Sequence, residues 1–246
     1  VSEAVSLLFF IIYTSMTADK RKYGFRRAFT LRPHLLKGML PISGWTMVQS
    51  FISVSIWFIF FLAIEHLGER PLAVTNIVRN ISALLIMVIS AFATTAGALI
   101  SNQIGAGEQR CLFKTCGMTL KLTYAILIPL LIILCLFPES VLRAFTDSPS
   151  LIAASVNSVY VMASSTLIMA PSFILFNAVS GTGNTKAGFI MEMISLAVYT
   201  AVIYYGIIRL KPDVALCWFS EHVYGVTLIF LAWWYLKSGK WRGKKV

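Results

Sequence analysis

The chain has 246 residues, of which 58% are hydrophobic and only 13% charged, and its mean hydropathy is +0.79. A soluble domain carries about a quarter charged residues, so this composition excludes a soluble enzyme, a disordered segment and a disulfide-rich secreted module. The 21 Lys and Arg against 10 Asp and Glu give a formal net charge of +11. Those basic residues sit in short runs between apolar segments, the topogenic pattern of membrane loops rather than a nucleic-acid-binding surface.

A transmembrane helix needs about 20 mostly apolar residues to cross ~30 Å of hydrocarbon. In chain order, residues 1–16 form a short apolar segment that begins at Val1 with no preceding basic stretch. It reads as the end of a preceding span, residues 1–17, and not as a signal peptide. Residues 18–37 are strongly basic and read as a cytoplasmic linker. Six full-length spans follow at 36–64, 72–104, 112–137, 151–180, 187–208 and 214–236, giving a six-helix bundle over 38–238 and a basic tail at 239–246. No segment alternates with period two, so a β-barrel is not expected. The fold class is all-α, a polytopic transmembrane helix bundle.

The loops set the orientation. Lys20, Arg21, Lys22 and their neighbours, then Arg110, Lys114 and Lys121, then Lys186, and finally the tail from Lys237 to Lys245 all fall on one side. The opposite loops hold only Arg70, Arg143, Arg209 and Lys211. The positive-inside rule puts the richer side, and the C-terminus, in the cytoplasm of a cell whose plasma (inner) membrane holds the protein.

Pro71 and Pro149 stand near helix starts, where a missing N–H is tolerated, and Asp147-Ser148 supplies an N-cap. Pro41, Pro129 and Pro171 fall inside spans, where they bend a helix. Ala93, Gly97, Ser101 and Gly105 recur every four residues and form a stripe along which another helix can approach closely. The four cysteines, Cys111, Cys116, Cys135 and Cys217, form no CxxC and have no metal-ligand spacing, so neither a disulfide framework nor a metal site is expected.

Ser101-Asn102-Gln103-Ile104-Gly105-Ala106-Gly107-Glu108 ends the second full span, and Ser180-Gly181-Thr182-Gly183-Asn184-Thr185-Lys186 ends the fourth. In order and spacing these turns resemble the C-terminal half of a multidrug and toxic compound extrusion (MATE) transporter. The resemblance implies one six-helix lobe of a two-lobe transporter, with an N-terminal lobe of the same chain as its partner. It also implies a small-molecule substrate, the lipid bilayer as surroundings, and no catalytic reaction. The glycine-rich turns lack the context and the Lys-Ser/Thr of a P-loop, so ATP has no place here, and no cofactor is expected beyond a coupling ion, Na⁺ or H⁺. Some family members carry a glutamate eight residues after the proline of the first span of this lobe. Here that position is Gln49, which cannot titrate.

Ionisable groups inside a span are costly and mark functional sites. Arg79, Glu192 and Glu221 are the candidates. At ~1.5 Å per residue, Arg79 lies ~12 Å and Glu221 ~10 Å from the outer ends of their helices, a match that allows a pair. Glu192 lies ~8 Å from the cytoplasmic end, in depth more than ~10 Å from Glu221 and too far to share a proton. Trp218 and Tyr224 share a helical face with Glu221, and Ser195 and Tyr199 share one with Glu192. An acid on an aromatic wall suits an amphipathic cation. The same residues also fit an interfacial aromatic belt with a structural Glu221–Arg79 pair. Gln49, Asn76, Asn80 and Asn177 are hydrogen-bonding candidates for the cavity wall or for helix bridges.

These readings point to a secondary antiporter that exports amphipathic cations by alternating access. Two rivals stand beside it: a flippase for lipid-linked saccharides of the related superfamily, and a non-transporting half-transporter.

Overall fold

The computed structural model describes residues 2–17, 33–239 and 241, and among them every regular element is helical. The chain divides into two units, Val1–Ser43 and Gly44–Val246. The first contains α1 (Ser2–Thr17) and the start of α2 (Pro33–Glu65). The basic linker expected at 18–37 lies outside the described residues except where α2 begins, and most of the tail lies outside them too.

The second unit holds the remainder of α2, then α3 (Glu69–Gly105), α4 (Leu112–Leu136), a short α5 (Pro138–Arg143), α6 (Pro149–Gly181), α7 (Thr185–Val202), α8 (Val214–Cys217) and α9 (Ser220–Ser238). A 3-10 turn, Gln109–Cys111, precedes α4, and a π-helical segment, Ile203–Arg209, continues α7. Among the described residues, six helical segments are long and apolar enough to cross a membrane, from Ser43–Glu65 to Val214–Ser238. The last five match the expected spans to within three residues at each end, and the first begins at Ser43 where 36 was expected.

Helix ends follow local chemistry. The Asn184 side chain caps α7 by accepting from the Ala187 N–H, and Asp213 caps α8 by accepting from Val214. Gly107, Gly183 and Gly239 adopt the left-handed conformation that ends a helix, with φ of 82°, 76° and 68°. Ser148 occupies the N-cap position of α6, with Pro149 following, but its hydroxyl makes no cap bond and faces the Ser150 hydroxyl instead.

α4 shows why the bundle belongs in lipid. Its buried side includes Thr119 and Thr123, whose hydroxyls donate to carbonyls one turn back. Its exposed side carries Met118, Leu122, Ile126, Ile133 and Leu136. Hydroxyls inward and large apolar groups outward invert the soluble pattern and fit a hydrocarbon solvent.

α3 and α6 form the most extensive helix pair. A Cβ at Gly97 would lie 2.9 Å from the Asn177 carbonyl oxygen, and one at Gly181 would lie 2.5 Å from the Gly97 carbonyl oxygen. The helices therefore touch backbone to backbone, as the small-residue stripe anticipates. Gly105, at the end of that stripe, faces open space. Around this pair, Val78, Ile89, Leu127, Val159 and Met162 form one core cluster, and Ala96, Ile100, Ile174 and Leu228 belong to a second. A third, with Phe60 and Ile64 of α2 against Tyr199 and Ile203, fastens α2 to α7.

One expected element is interrupted. The last span is broken between α8 and α9, at Trp218–Phe219. Here Phe219, Glu221 and His222 donate their N–H groups three residues back instead of four, to Leu216, Trp218 and Phe219. The Ser220 hydroxyl donates to the Cys217 carbonyl at 2.8 Å, engaging a group the helix would otherwise use. Glu221 therefore stands in the first turn of α9.

Candidate functional site: a two-carboxyl cavity

A cavity of about 490 Å³ opens among α2, α3, α6, α7 and α9. Most of its wall is apolar, including Val54, Trp57, Ile86, Met87, Phe173 and Leu196. The polar groups facing it are few: Ser53, Arg79, Ser82, Glu192, Tyr199, Glu221 and Tyr224. A largely apolar pocket with a few convergent polar groups is the ordinary form of a small-molecule site.

Glu192, on α7, is 4% exposed. Its Oε1 accepts two hydrogen bonds, from the Ser53 hydroxyl of α2 at 2.9 Å and from the Tyr224 phenol of α9 at 2.9 Å. Glu221, on α9, accepts from the Tyr199 phenol of α7 at 2.8 Å. Each acid is thus served by a tyrosine on the other helix. The two phenol rings meet edge to face, with centroids 5.8 Å apart, so the cluster is continuous from Ser53 to Glu221. Phe60 packs against Tyr199 and Trp218 behind it.

Arg79, on α3, lines the same cavity but does not pair with Glu221 as its depth suggested. Its guanidinium carbon sits 5.3 Å from the Phe61 ring centroid, a cation–π contact, and its Nε is buried without a hydrogen-bond partner. Two carboxyls and one guanidinium therefore share the cavity, with no ion pair among these three to neutralise them. Such a space attracts cations once both acids are ionised.

Several other candidates lie elsewhere. Gln49 does not line the cavity; its backbone carbonyl accepts from Ser53 at 3.0 Å. Asn76 and Asn80 do not line it either. Asn177 donates to the Phe173 carbonyl of its own helix and abuts Gly97, so it belongs to the α3–α6 contact. Trp218 stands at the α8–α9 break, buried in the core with its indole N–H unpartnered. Ser195 is buried with an unpartnered hydroxyl outside the cavity wall. The depth estimate separated Glu192 from Glu221, yet one cavity holds both, each with its own phenol.

The sequence reading did not single out Ser53, Trp57, Ser82, Met87 or Phe173 as cavity residues. Ser82 follows Arg79 by three residues on α3, and that spacing was the available signal.

Residues 46–205 match the sequence model of the MatE family. No curated protein matches the chain. Among solved structures, a mutant of the Vibrio cholerae MATE transporter VcmN superposes with a TM-score of 0.76 at 15% identity, covering 87% of this chain and 49% of that one. An outward-facing multidrug resistance MATE family transporter of the MOP superfamily gives 0.73 at 14% identity, covering 83% and 46%. A MOP superfamily transporter from Pyrococcus furiosus, described as having a binding pocket of reverse polarity, gives 0.71 at 14% identity, covering 81% and 44%. The chain thus spans about half the length of the transporters whose fold it shares. With its helices in their order and two thirds of the sequence inside the family match, the chain belongs to the MatE family of membrane transporters.

Proposed function

We propose that this chain forms one lobe of a secondary antiporter that exports amphipathic, cationic small molecules, driven by a Na⁺ or H⁺ gradient. The observation that carries the reading is the cavity itself: two carboxyls, each fixed by a phenol, set in an apolar wall of about 490 Å³. The apolar wall would take a ligand's hydrophobic body, and Glu221 with the Trp57 ring would take its positive centre. Rocking of this lobe against a second one would expose the site alternately to the two sides. The basic loops would face the cytoplasm of a cell whose plasma membrane holds the protein.

A lipid-linked saccharide would present a phosphate, and Arg79 with its unpartnered Nε is the feature that favours it. Two acids against one cation in the cavity weigh toward a positively charged ligand instead.

Glu221→Gln tests the proposal in cells expressing the full-length protein. The substitution keeps the size of the side chain and an acceptor for Tyr199 but removes the charge. Efflux of a fluorescent lipophilic cation is expected to fall at least tenfold at unchanged membrane expression, equivalent to the loss of ~1.4 kcal/mol or more. Efflux equal to that of the unmutated protein would remove Glu221 from the mechanism.

A further inference from the structure

Pro171 stands inside α6. It has no N–H, and its ring crowds the carbonyl one turn earlier, that of Leu167. Leu167 is 39% exposed, on a side of the bundle where hydrocarbon offers no water to replace the lost donor. Another helix supplies the replacement: the Tyr124 phenol of α4 donates to the Leu167 carbonyl at 2.7 Å.

The same segment of α6 meets the cavity on its other face. Met169 and Phe173, two residues to either side of Pro171, line the cavity wall. At ~100° per residue they lie about 200° around the helix from Leu167 and Pro171. Crowding by the proline ring spreads the turns on the outer face, so α6 bends toward the cavity face. The bend then sets the separation of Met169 from Phe173. Met169 also lies where α9 crosses: a Cβ at Gly225 would come 2.9 Å from Ile168 Cγ2 and 3.7 Å from Met169 Sδ. Glu221 and Tyr224 precede Gly225 on that helix. Without the phenol, the Leu167 carbonyl would draw an N–H from its own helix by a local 3-10 or π adjustment, and the bend would change.

We propose that Tyr124 is a positioning residue of the cavity: by occupying the carbonyl that Pro171 leaves open, it holds the bend of α6 and fixes where Met169 and Phe173 stand. It touches no ligand and acts through α6. The separation of those two side chains decides which apolar body the wall accepts, so the bond governs selectivity by shape. That last step rests on the cavity being the ligand site proposed above.

The test is a cycle of Tyr124→Phe, Pro171→Ala and the double variant, made in the full-length protein in detergent. An alanine at 171 brings its own N–H to the Leu167 carbonyl, so loss of the phenol should matter only while the proline is present. Two readings need no ligand. Tyr124→Phe should lower the melting temperature, and the same change in the Pro171→Ala background should cost less than about half as much. With methionine methyl groups labelled for NMR, the Met169 resonance should shift in Tyr124→Phe, and adding Tyr124→Phe to Pro171→Ala should leave it in place. The third reading is binding: the ratio of affinities for tetraphenylphosphonium and the smaller tetraethylammonium should change by about threefold or more in Tyr124→Phe. Equal melting losses in both backgrounds separate the phenol from the proline and overturn the proposal. An unmoved Met169 resonance in Tyr124→Phe overturns the positioning role, and a moved resonance with an unchanged affinity ratio overturns the effect on selectivity. If neither cation binds the unmutated protein, the cation-cavity reading falls, while the melting cycle and the Met169 resonance still decide whether Tyr124 holds the bend.

Discussion

Arg79 gives the sharpest consequence at the residue scale. It stands in the cavity stacked on Phe61 with Nε unpartnered, while both acids take their hydrogen bonds from hydroxyl groups. No ion pair would be broken by removing it. At ~8 Å and an effective dielectric constant near 20, a like charge repels a bound cation by about 2 kcal/mol. Arg79→Met, which preserves length and an apolar stem, should therefore raise the affinity for a monovalent lipophilic cation by about thirtyfold. Equilibrium binding in detergent measures this; an unchanged or weaker affinity would place the guanidinium outside the cation's field. The two acids were legible in the sequence because a carboxylate amid apolar residues stands out against its surroundings. Their partners were not. Spacing paired Tyr224 with Glu221 and Tyr199 with Glu192 along single helices, and the structure exchanges those partners across the α7–α9 contact. Helical periodicity fixes which residues share a face, but which residue on the opposing helix meets them depends on the relative shift of two helices, which no single-chain pattern carries.

Among the elements, α3 and α6 were anticipated most fully. The stripe Ala93, Gly97, Ser101 and Gly105 announces a close approach, and Gly97 does meet Gly181 and Asn177. The stripe could not show where the contact ends, and Gly105 lies beyond it. That difference makes a paired experiment. Gly181→Ala puts a Cβ 2.5 Å from the Gly97 carbonyl oxygen, a backbone atom that cannot swing aside. Overpacking of this kind costs about 1–3 kcal/mol. Gly105→Ala meets open space and should change stability by less than about 0.5 kcal/mol. Thermal unfolding of the two variants in one detergent should show a clear loss for Gly181→Ala alone; equal melting temperatures would contradict the backbone contact. The break between α8 and α9 was not legible, because neither proline nor glycine marks it. It is made by the Ser220 hydroxyl engaging a carbonyl, a competition that also occurs in unbroken helices and so leaves no distinctive trace in sequence.

For the whole molecule, the membrane character follows from composition alone, and the inverted surface of α4 repeats it in three dimensions. Orientation is a separate property, because six spans can be threaded in either direction and the packed helices have the same internal contacts both ways. What breaks the symmetry is charge in the loops. Arg110, Lys114 and Lys121 lie at the end where α3 passes to α4, and the opposite end, where α5 passes to α6, carries Arg143 with Glu139 and Asp147 nearby. Lys and Arg resist translocation while Asp and Glu contribute little, so the α3–α4 connection should face the cytoplasm. Glu108 and Ser150 are both exposed and sit at these two opposite ends. With the native cysteines replaced, Ser150→Cys should react with a membrane-impermeant maleimide on intact cells. Glu108→Cys should react only after permeabilisation. The reverse pattern would invert the orientation and place the carbonyl-rich ends of α3 and α6 outside, leaving the cavity geometry intact.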